Sequence, residues 1–357
     1  MEIKITLAGP EQRKPIPRDG NTLGFGRHFT DHFFLMDYAP ERGWFDPRVE
    51  PYHKLSLDPA TMVLHYGQQV FEGMKAYRGA DGGVYLFRHR KNFERLNRSC
   101  RRLVIPELDI DVLEQGLREL IRVDQEWIPT SEGCALYIRP TVIATDPVLG
   151  VRPSDTYLFY IIAGPVGAYY PEGFNPISIY VSDKYVRAVS GGIGEAKTAG
   201  NYAASLAAQQ EARKKGYSQV LWLDAKERSF VEEVGTMNIF FRINDELITS
   251  PLTGSILPGV TRDSVIQIAR SWGVKVSERM LAVDEVFDAA QKGSLKEVFG
   301  AGTAAVIAPV KKFHYKDRDI QVGDGRSGEL SQRLYKYILD LQYGRIEDPF
   351  GWRTRIL

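Results

Sequence analysis

The sequence predicts a mixed α/β (α+β) protein of two domains, and three observations carry that prediction. Strand-like alternation and helix-like periodicity both occur in each half of the 357 residues. A glycine- and proline-dense stretch from Gly164 to Pro176 separates the halves and reads as a connection between domains. The length also suffices for two cores or one large one. The expected division is a smaller α+β domain over 1–163, a linker over 164–176 and a larger domain over 177–357.

In the first half, residues to about Arg48 read as extended and irregular, punctuated by Pro15, Pro17 and Gly24-Phe-Gly26. Phe29 to Tyr38 is apolar enough for a buried strand. Leu57-Asp-Pro marks a turn before Met62 to Tyr66, and Gln68 to Phe71 reads as a short helical turn. Glu72 to Tyr77, the glycine-rich turn to Gly83 and Val84 to Phe87 make a strand–turn–strand pattern. Phe93, Leu96, Cys100 and Leu103 recur at helical spacing with Arg95, Arg98 and Arg102 opposite, and Val112 to Val123 repeats the pattern. Ala135 to Arg139 and Thr156 to Ile162 read as strands, the first ending at Pro140.

In the second half, Ile177 to Val181 alternates as a half-buried strand does. Asn201 suits the N-cap of a helix from Tyr202 to Lys215, with Gly216 as its stop. Further strands are expected at Val220–Leu223, Asn238–Phe241, Val274–Val276 and from Val298. Helices are expected at Arg262–Ser271 and Asp284–Ala290, with a last one on the stripe Leu330, Leu334, Tyr337, Ile338 and Leu341.

Lysine plus arginine number 46 against 45 acids, a net charge of +1, which argues against nucleic acid or an anionic membrane as the main partner. Basic runs such as Arg88 to Lys91 read as solvated helix faces. No stretch of about twenty apolar residues spans a bilayer. The N-terminal segment has no apolar signal core, and Glu11 and Asp19 argue against a transit peptide. Two cysteines on apolar-periodic segments, Cys100 and Cys134, suit buried thiols in a reduced, cytoplasmic setting. No Cys/His spacing for zinc, nucleophile elbow or phosphate-loop motif is present.

The chemistry centres on Gly191 to Tyr202, a glycine-rich approach to Lys197 between a strand and a helix. A lysine that bonds covalently to a flat cofactor needs such clearance, although a solvated loop lysine has the same appearance and is the commoner case for a lone one. Four further features suit a phosphorylated, electron-withdrawing group there. Glu232-Glu233 offers a carboxylate against a ring nitrogen, although a strand-end acid pair has the same appearance. Leu257 to Thr261, running into a helix, offers amides and a hydroxyl to an anion, and simple capping uses the same residues. Gly300 to Ala304 is a second small-residue turn. Tyr202 brings a hydroxyl within reach of a phenolic oxygen. Arg95 is a phosphate clamp, or one more charge on the polar helix face beside Arg98. Tyr66, Phe71, Tyr137, Arg139 and Tyr169 suit an apolar pocket with polar handles.

The chain resembles the branched-chain amino acid aminotransferases, within the class IV pyridoxal-phosphate enzymes. The likeness runs from about Gly24 to Gly344. It rests on Phe25-Gly with Phe29-Thr-Asp-His32, Leu64-His-Tyr66, Phe71-Glu-Gly-Met-Lys-Ala-Tyr77 and Leu136-Tyr-Ile-Arg-Pro140. It continues in Gly191-Gly with Lys197 and Gly200-Asn-Tyr202, Glu233-Val-Gly-Thr-Met-Asn-Ile239, Ile256-Leu-Pro-Gly-Val-Thr-Arg262 and Gly302-Thr-Ala304. The resemblance implies a fold-type IV architecture (D-amino acid aminotransferase-like), with pyridoxal 5'-phosphate at the domain junction. It implies that Lys197 bonds the cofactor and moves the substrate's α-proton, with Glu233 on the pyridine nitrogen and Tyr202 on the phenolic oxygen. Arg95, Val260, Thr261 and Thr303 hold the phosphate on this reading. Tyr66, Thr236 and Ala304 meet the substrate carboxylate, and Phe25, Phe71, Tyr137, Arg139 and Tyr169 enclose its side chain.

The implied reaction is ping-pong amino transfer between L-leucine, L-isoleucine or L-valine and 2-oxoglutarate, in a homodimer whose Leu149 and Val151 reach the partner's site. Vertebrate members carry a Cys-x-x-Cys pair where this chain has Ala305 and Ala308, so a microbial type without a thiol switch is implied. The alternatives are a D-amino acid aminotransferase or aminodeoxychorismate lyase of the same class, and a cofactor-free binding protein.

Overall fold

Alternating apolar residues build a mixed sheet in each of two units of the computed structural model, which describes residues 1–167 and 174–357. The first unit comprises Met1–Tyr169, Ala196–Ala199 and Asp340–Leu357; the second comprises Tyr170–Glu195 and Gly200–Leu339. Lys197 thus falls in the first unit with Ala196, Thr198 and Ala199, although the chain on either side of these four residues belongs to the second.

Among the described residues the first unit's sheet has nine strands. These are β1 (Lys4–Ile5), β2 (His32–Ala39), β3 (Gly43–Pro51), β4 (Gln69–Phe71), β5 (Met74–Arg78), β6 (Val84–Phe87), β7 (Ala135–Ala144), β8 (Tyr157–Val166) and a C-terminal strand, Arg353–Arg355. Their order is β1-β3-β2-β8-β7-β5-β6 and then the C-terminal strand, with β4 also on β7. Helices α1 (Met62–Tyr66), α2 (His89–Arg102) and α3 (Ile110–Val123) complete the unit. The helical stripe Phe93, Leu96, Cys100, Leu113, Leu117 and Leu120 joins Phe34, Ile138 and Phe159 of the sheet in one buried cluster.

Four expectations are corrected here. Residues 43–51 are not irregular but pair with β2 as a hairpin. Gln69–Phe71 is a strand on Thr141–Ile143, because backbone pairing overrides a three-residue helical preference. Pro140 does not end its strand. Neighbouring partners on that edge of β7 change from β4 to β5 at this position, where the Pro140 carbonyl accepts from Glu72 N at 2.8 Å. The N–H that proline lacks is therefore missed at a seam in the ladder. Finally, Gly164 to Val166, read as connection, continue β8 opposite Ala135 to Tyr137. Gly164 is needed for close approach, since a Cβ there would lie 1.9 Å from the His28 carbonyl oxygen.

The second unit contains β9 (Ile177–Val181), β10 (Gln219–Leu223), β11 (Val231–Val234), β12 (Met237–Ile243), β13 (Glu246–Thr249), β14 (Lys275–Glu278), β15 (Leu295–Gly302), β16 (Val306–Tyr315) and β17 (Arg318–Gln321). The order is β11-β10-β9-β16-β15-β12-β13-β14, and β11 also pairs with β12. That extra pairing closes β11, β10, β9, β16, β15 and β12 into a ring, which leaves no free edge among them. Ile179, Leu221, Val234, Ile239, Phe241, Val298, Val310 and Phe313 belong to its buried cluster.

Its helices are α4 (Ala199–Ala203), α5 (Leu206–Lys214), α6 (Val260–Ser271), α7 (Val283–Gln291) and α8 (Glu329–Gln342). The single helix expected from Tyr202 is thus two. It starts before Asn201, and it breaks where Ser205 Oγ donates to the Tyr202 carbonyl at 2.7 Å and competes with the helical ladder.

Candidate active site

In the first unit the backbone of Lys197 is held from both sides. Its N–H donates to Ser99 Oγ at 2.9 Å, and its carbonyl accepts from Phe71 N at 3.0 Å. Thr198 Oγ1 adds a hydrogen bond to the Gln69 carbonyl at 2.6 Å. The side chain is half-buried, with Nζ 5.0 Å from the centroid of the Phe71 ring. A glycine-rich approach thus ends in a rigidly placed amine beside an aromatic face.

Arg139 links the expected pocket residues Tyr137 and Phe25 to the same ring. Phe25 meets Tyr137 edge-on at 4.8 Å. The Arg139 guanidinium lies 4.8 Å from the Phe71 centroid, and its Nη2 donates to the Tyr137 hydroxyl at 3.1 Å. Gly73 makes room for this, because a Cβ there would stand 2.1 Å from that hydroxyl. Tyr66 ends α1 at 41% exposure, its ring 6.2 Å from His65. Tyr169 lies outside the described residues.

Arg95 is corrected from a polar-face residue: it is 3% exposed, whereas Arg98 is exposed. Its Nε and Nη2 donate to the two oxygens of Glu72 at 2.7 and 2.9 Å. Asn92 Nδ2 and Gly73 N also donate to Glu72, at 2.9 and 3.1 Å. Burial alone would push the Glu72 carboxyl up. The charge and hydrogen bonds of Arg95, with the charge of Lys197, outweigh it and hold the carboxyl below its ordinary range. Ser99 donates onward to the Arg95 carbonyl at 3.0 Å, so one turn of α2 carries both the guanidinium and the seat of Lys197.

In the second unit Glu233 is 3% exposed and paired across strands with Asn238. Asn238 Nδ2 donates to Glu233 Oε1 and to the Leu257 carbonyl, both at 2.9 Å. Arg187 Nε lies 2.5 Å from Glu233 Oε2. A small cleft is lined by Glu233, Arg187, Tyr202, Thr236, Asn201 and Leu257. Asn238 therefore ties the acid to the loop that enters α6. Val260 and Thr261 are the first residues of that helix, whose N-cap Gly259 brings no side-chain cap. A Cβ at Gly259 would meet Asn238 Oδ1 at 2.0 Å. Thr303 and Ala304 follow β15, which pairs Ala301 with Asn238.

These residues fit pyridoxal phosphate by the chemistry of their donors. One half offers a placed amine beside an aromatic face and a buried guanidinium. The other offers a carboxylate held between an arginine and an amide, a tyrosine on the same cleft, and a helix start without a side-chain cap. Glu72, Asn92, Ser99, Arg187 and Asn238 were not singled out from the sequence. Glu72 and Asn238 lay inside the quoted motifs, whereas nothing local marks Arg187. Among the described residues no cluster of His, Cys, Asp and Glu suits a metal, and no helix is long and apolar enough to cross a membrane. Cys100 and Cys134 are buried and free.

Comparison with known proteins identifies the family. The model of the amino-transferase class IV family matches residues 69–313. Branched-chain-amino-acid aminotransferase 2 of Bacillus subtilis is 54% identical over 354 residues, covering 99% of this chain and 97% of its own. Branched-chain-amino-acid transaminase 1 of the same organism is 53% identical over 339 residues, 95% of each chain. The solved branched-chain amino acid aminotransferase of Escherichia coli superposes with a TM-score of 0.76 at 32% identity, covering 92% of this chain and 99% of that one. A second solved branched-chain amino acid aminotransferase, with pyridoxamine 5'-phosphate, gives 0.75 at 28% identity, covering 91% and 98%. With these matches spanning both halves of its length, the chain belongs to the class IV aminotransferases, in the branch of the branched-chain-amino-acid aminotransferases.

Proposed function

We propose that the protein transfers the amino group reversibly between L-leucine, L-isoleucine or L-valine and 2-oxoglutarate, using pyridoxal phosphate in a ping-pong cycle. The observation that carries this reading is Lys197, held through its backbone with its amine 5.0 Å from Phe71, a ring on which Arg139 also lies and to which Tyr137 and Phe25 connect through Arg139. Pyridoxal phosphate supplies the electron sink that lets the α-proton of an amino acid leave. Lys197 holds the cofactor covalently at rest and, once released, takes that proton and returns it on the other side of the transfer. Glu233, with Arg187 and Asn238 behind it, keeps the pyridine nitrogen protonated; Tyr202 donates to the phenolic oxygen. Arg95, Val260, Thr261 and Thr303 receive the phosphate, with Glu72 fixing the orientation of Arg95.

Phe25, Phe71 and Tyr137 form an apolar wall for the branched side chain, and Tyr169 is assigned to the same wall. The Arg139 guanidinium at its edge offers the polar handle for the second carboxylate of 2-oxoglutarate. Tyr66, Thr236 and Ala304 meet the α-carboxylate. Leu149 and Val151 stand 67% and 87% exposed, and their burial against a second copy of the chain makes the working unit a homodimer. A cytoplasmic location accords with the free, buried cysteines.

The test is incubation of the cofactor-loaded protein with L-leucine and 2-oxoglutarate, following glutamate, beside a Lys197→Ala variant. Glutamate formation and a near-visible band, both lost in the variant, are expected. Wild-type protein that binds the cofactor yet forms no glutamate from any branched-chain donor would refute the substrate assignment.

A further inference from the structure

Glu232 and Glu233 are adjacent on β11 and both buried, at 7% and 3% exposure, yet only Glu233 faces the cleft described above. Glu232 Oε1 accepts a short hydrogen bond from Ser255 Oγ, and its Oε2 is buried without a hydrogen-bond partner. A buried carboxyl so sparsely satisfied is costly and calls for a role.

Ser255 connects the two acids. Its hydroxyl serves Glu232, while its carbonyl accepts from Arg187 Nη2. The same Nη2 donates to the Gly194 carbonyl at 3.0 Å, and Arg187 Nε lies 2.5 Å from Glu233 Oε2. There is no slack at this junction, since a Cβ on Gly194 would lie 2.3 Å from the Ser255 carbonyl oxygen. The loop is pinned on either side of Ser255 as well: Ser250 Oγ donates to the Val231 carbonyl at 2.5 Å, and Asn238 holds Leu257 at 2.9 Å.

We propose that Glu232 is a positioning residue for Glu233: by seating Ser255 it sets the carbonyl that aims Arg187 at the carboxylate assigned to the cofactor's ring nitrogen. The proposal rests on the role given to Glu233 under the proposed function. The groups around Glu232 raise its pKa on balance. Burial pushes its carboxyl up, the Ser255 hydrogen bond and the Arg187 charge oppose this, and Asp224 adds to the rise. Glu232 engages the Ser255 hydroxyl while Arg187 Nε lies against Glu233 Oε2, so the guanidinium stays committed to Glu233.

The experiment uses the holoenzyme and the variants Glu232→Ala, Glu232→Gln and Ser255→Ala. It measures the dissociation constant for pyridoxal phosphate, the pH midpoint of the near-visible band and the melting temperature. Loss of the seat frees Arg187 and removes positive charge from beside the ring. Glu232→Ala and Ser255→Ala are then expected to bind pyridoxal phosphate about tenfold more weakly. Their midpoint should rise by about half a pH unit. Glu232→Gln, which keeps a carbonyl acceptor for the Ser255 hydroxyl, retains both wild-type values.

Wild-type affinity and midpoint in both truncations, with only a lower melting temperature, would show a packing role and overturn the proposal. A Glu232→Gln variant as impaired as Glu232→Ala would overturn it too, by showing that the charge itself acts. If Glu232→Ala fails to fold, Ser255→Ala decides alone. A wild-type protein with no near-visible band in the presence of pyridoxal phosphate would remove the parent reading, and this one with it.

Discussion

Replacing Glu72 by glutamine breaks the most deeply buried ion pair of the candidate site. Glu72 is 0% and Arg95 3% exposed, and the guanidinium takes both carboxylate oxygens at 2.7 and 2.9 Å. At an effective dielectric near 20, unit charges about 4 Å apart attract by about 4 kcal/mol. Removing one partner of a buried pair costs about 3–5 kcal/mol, because the other charge stays buried. The glutamine carbonyl still accepts one hydrogen bond, so the lower end, about 3 kcal/mol, is expected. That corresponds to a fall of about 5–10 °C in melting temperature, read by scanning calorimetry.

The pH dependence supplies a second readout. The Glu72 carboxyl is held below its ordinary value of 4.5 in the folded protein, so its contribution is complete above 4.5 and is lost as pH falls through the folded value. Wild type and variant should therefore converge in strong acid. A loss under about 1 kcal/mol, of the size seen for exposed pairs, would refute the reasoning. So would a gap that persists unchanged in acid.

Two further outcomes follow from particular contacts. Gly73→Ala places a Cβ 2.1 Å from the Tyr137 hydroxyl, which must swing away from Arg139; kcat/KM for leucine should fall about tenfold, and an unchanged value would detach this pair from the substrate. His89 is 2% exposed, with Glu114 at 3.5 Å and both Arg90 and Arg118 on that carboxylate. Burial lowers its pKa more than Glu114 raises it, so the unfolded chain binds the extra proton first and stability drops as pH falls below 6.5. Denaturant titrations of His89→Gln should show a shallower drop over that range; an identical slope would exclude His89 as its source.

The sequence by itself carried the mixed α/β class and, through the order of its motifs, the resemblance to the aminotransferase family, since periodicities and motifs are written locally. Alternation placed β2, β5, β6, β8 and β9, and the stripes of α2, α3, α6 and α8 needed only a period of 3.6 residues. A lysine in a glycine-rich loop, an acid before a tight turn and a helix opening on Pro-Gly-Val-Thr are equally contiguous signals. Only the tertiary structure decided which carboxylate each arginine takes. Arg95 lies 23 residues from Glu72, and Arg187 lies 46 residues from Glu233. It also decided that Pro140 sits inside a strand, that Gly164 serves close approach and that a helix breaks at Ser205. Apart from the break at Ser205, whose partner Tyr202 is local, the deciding term is a partner distant in sequence. The desolvation of a buried charge or the space beside a backbone depends on what folds against it, which no local pattern records.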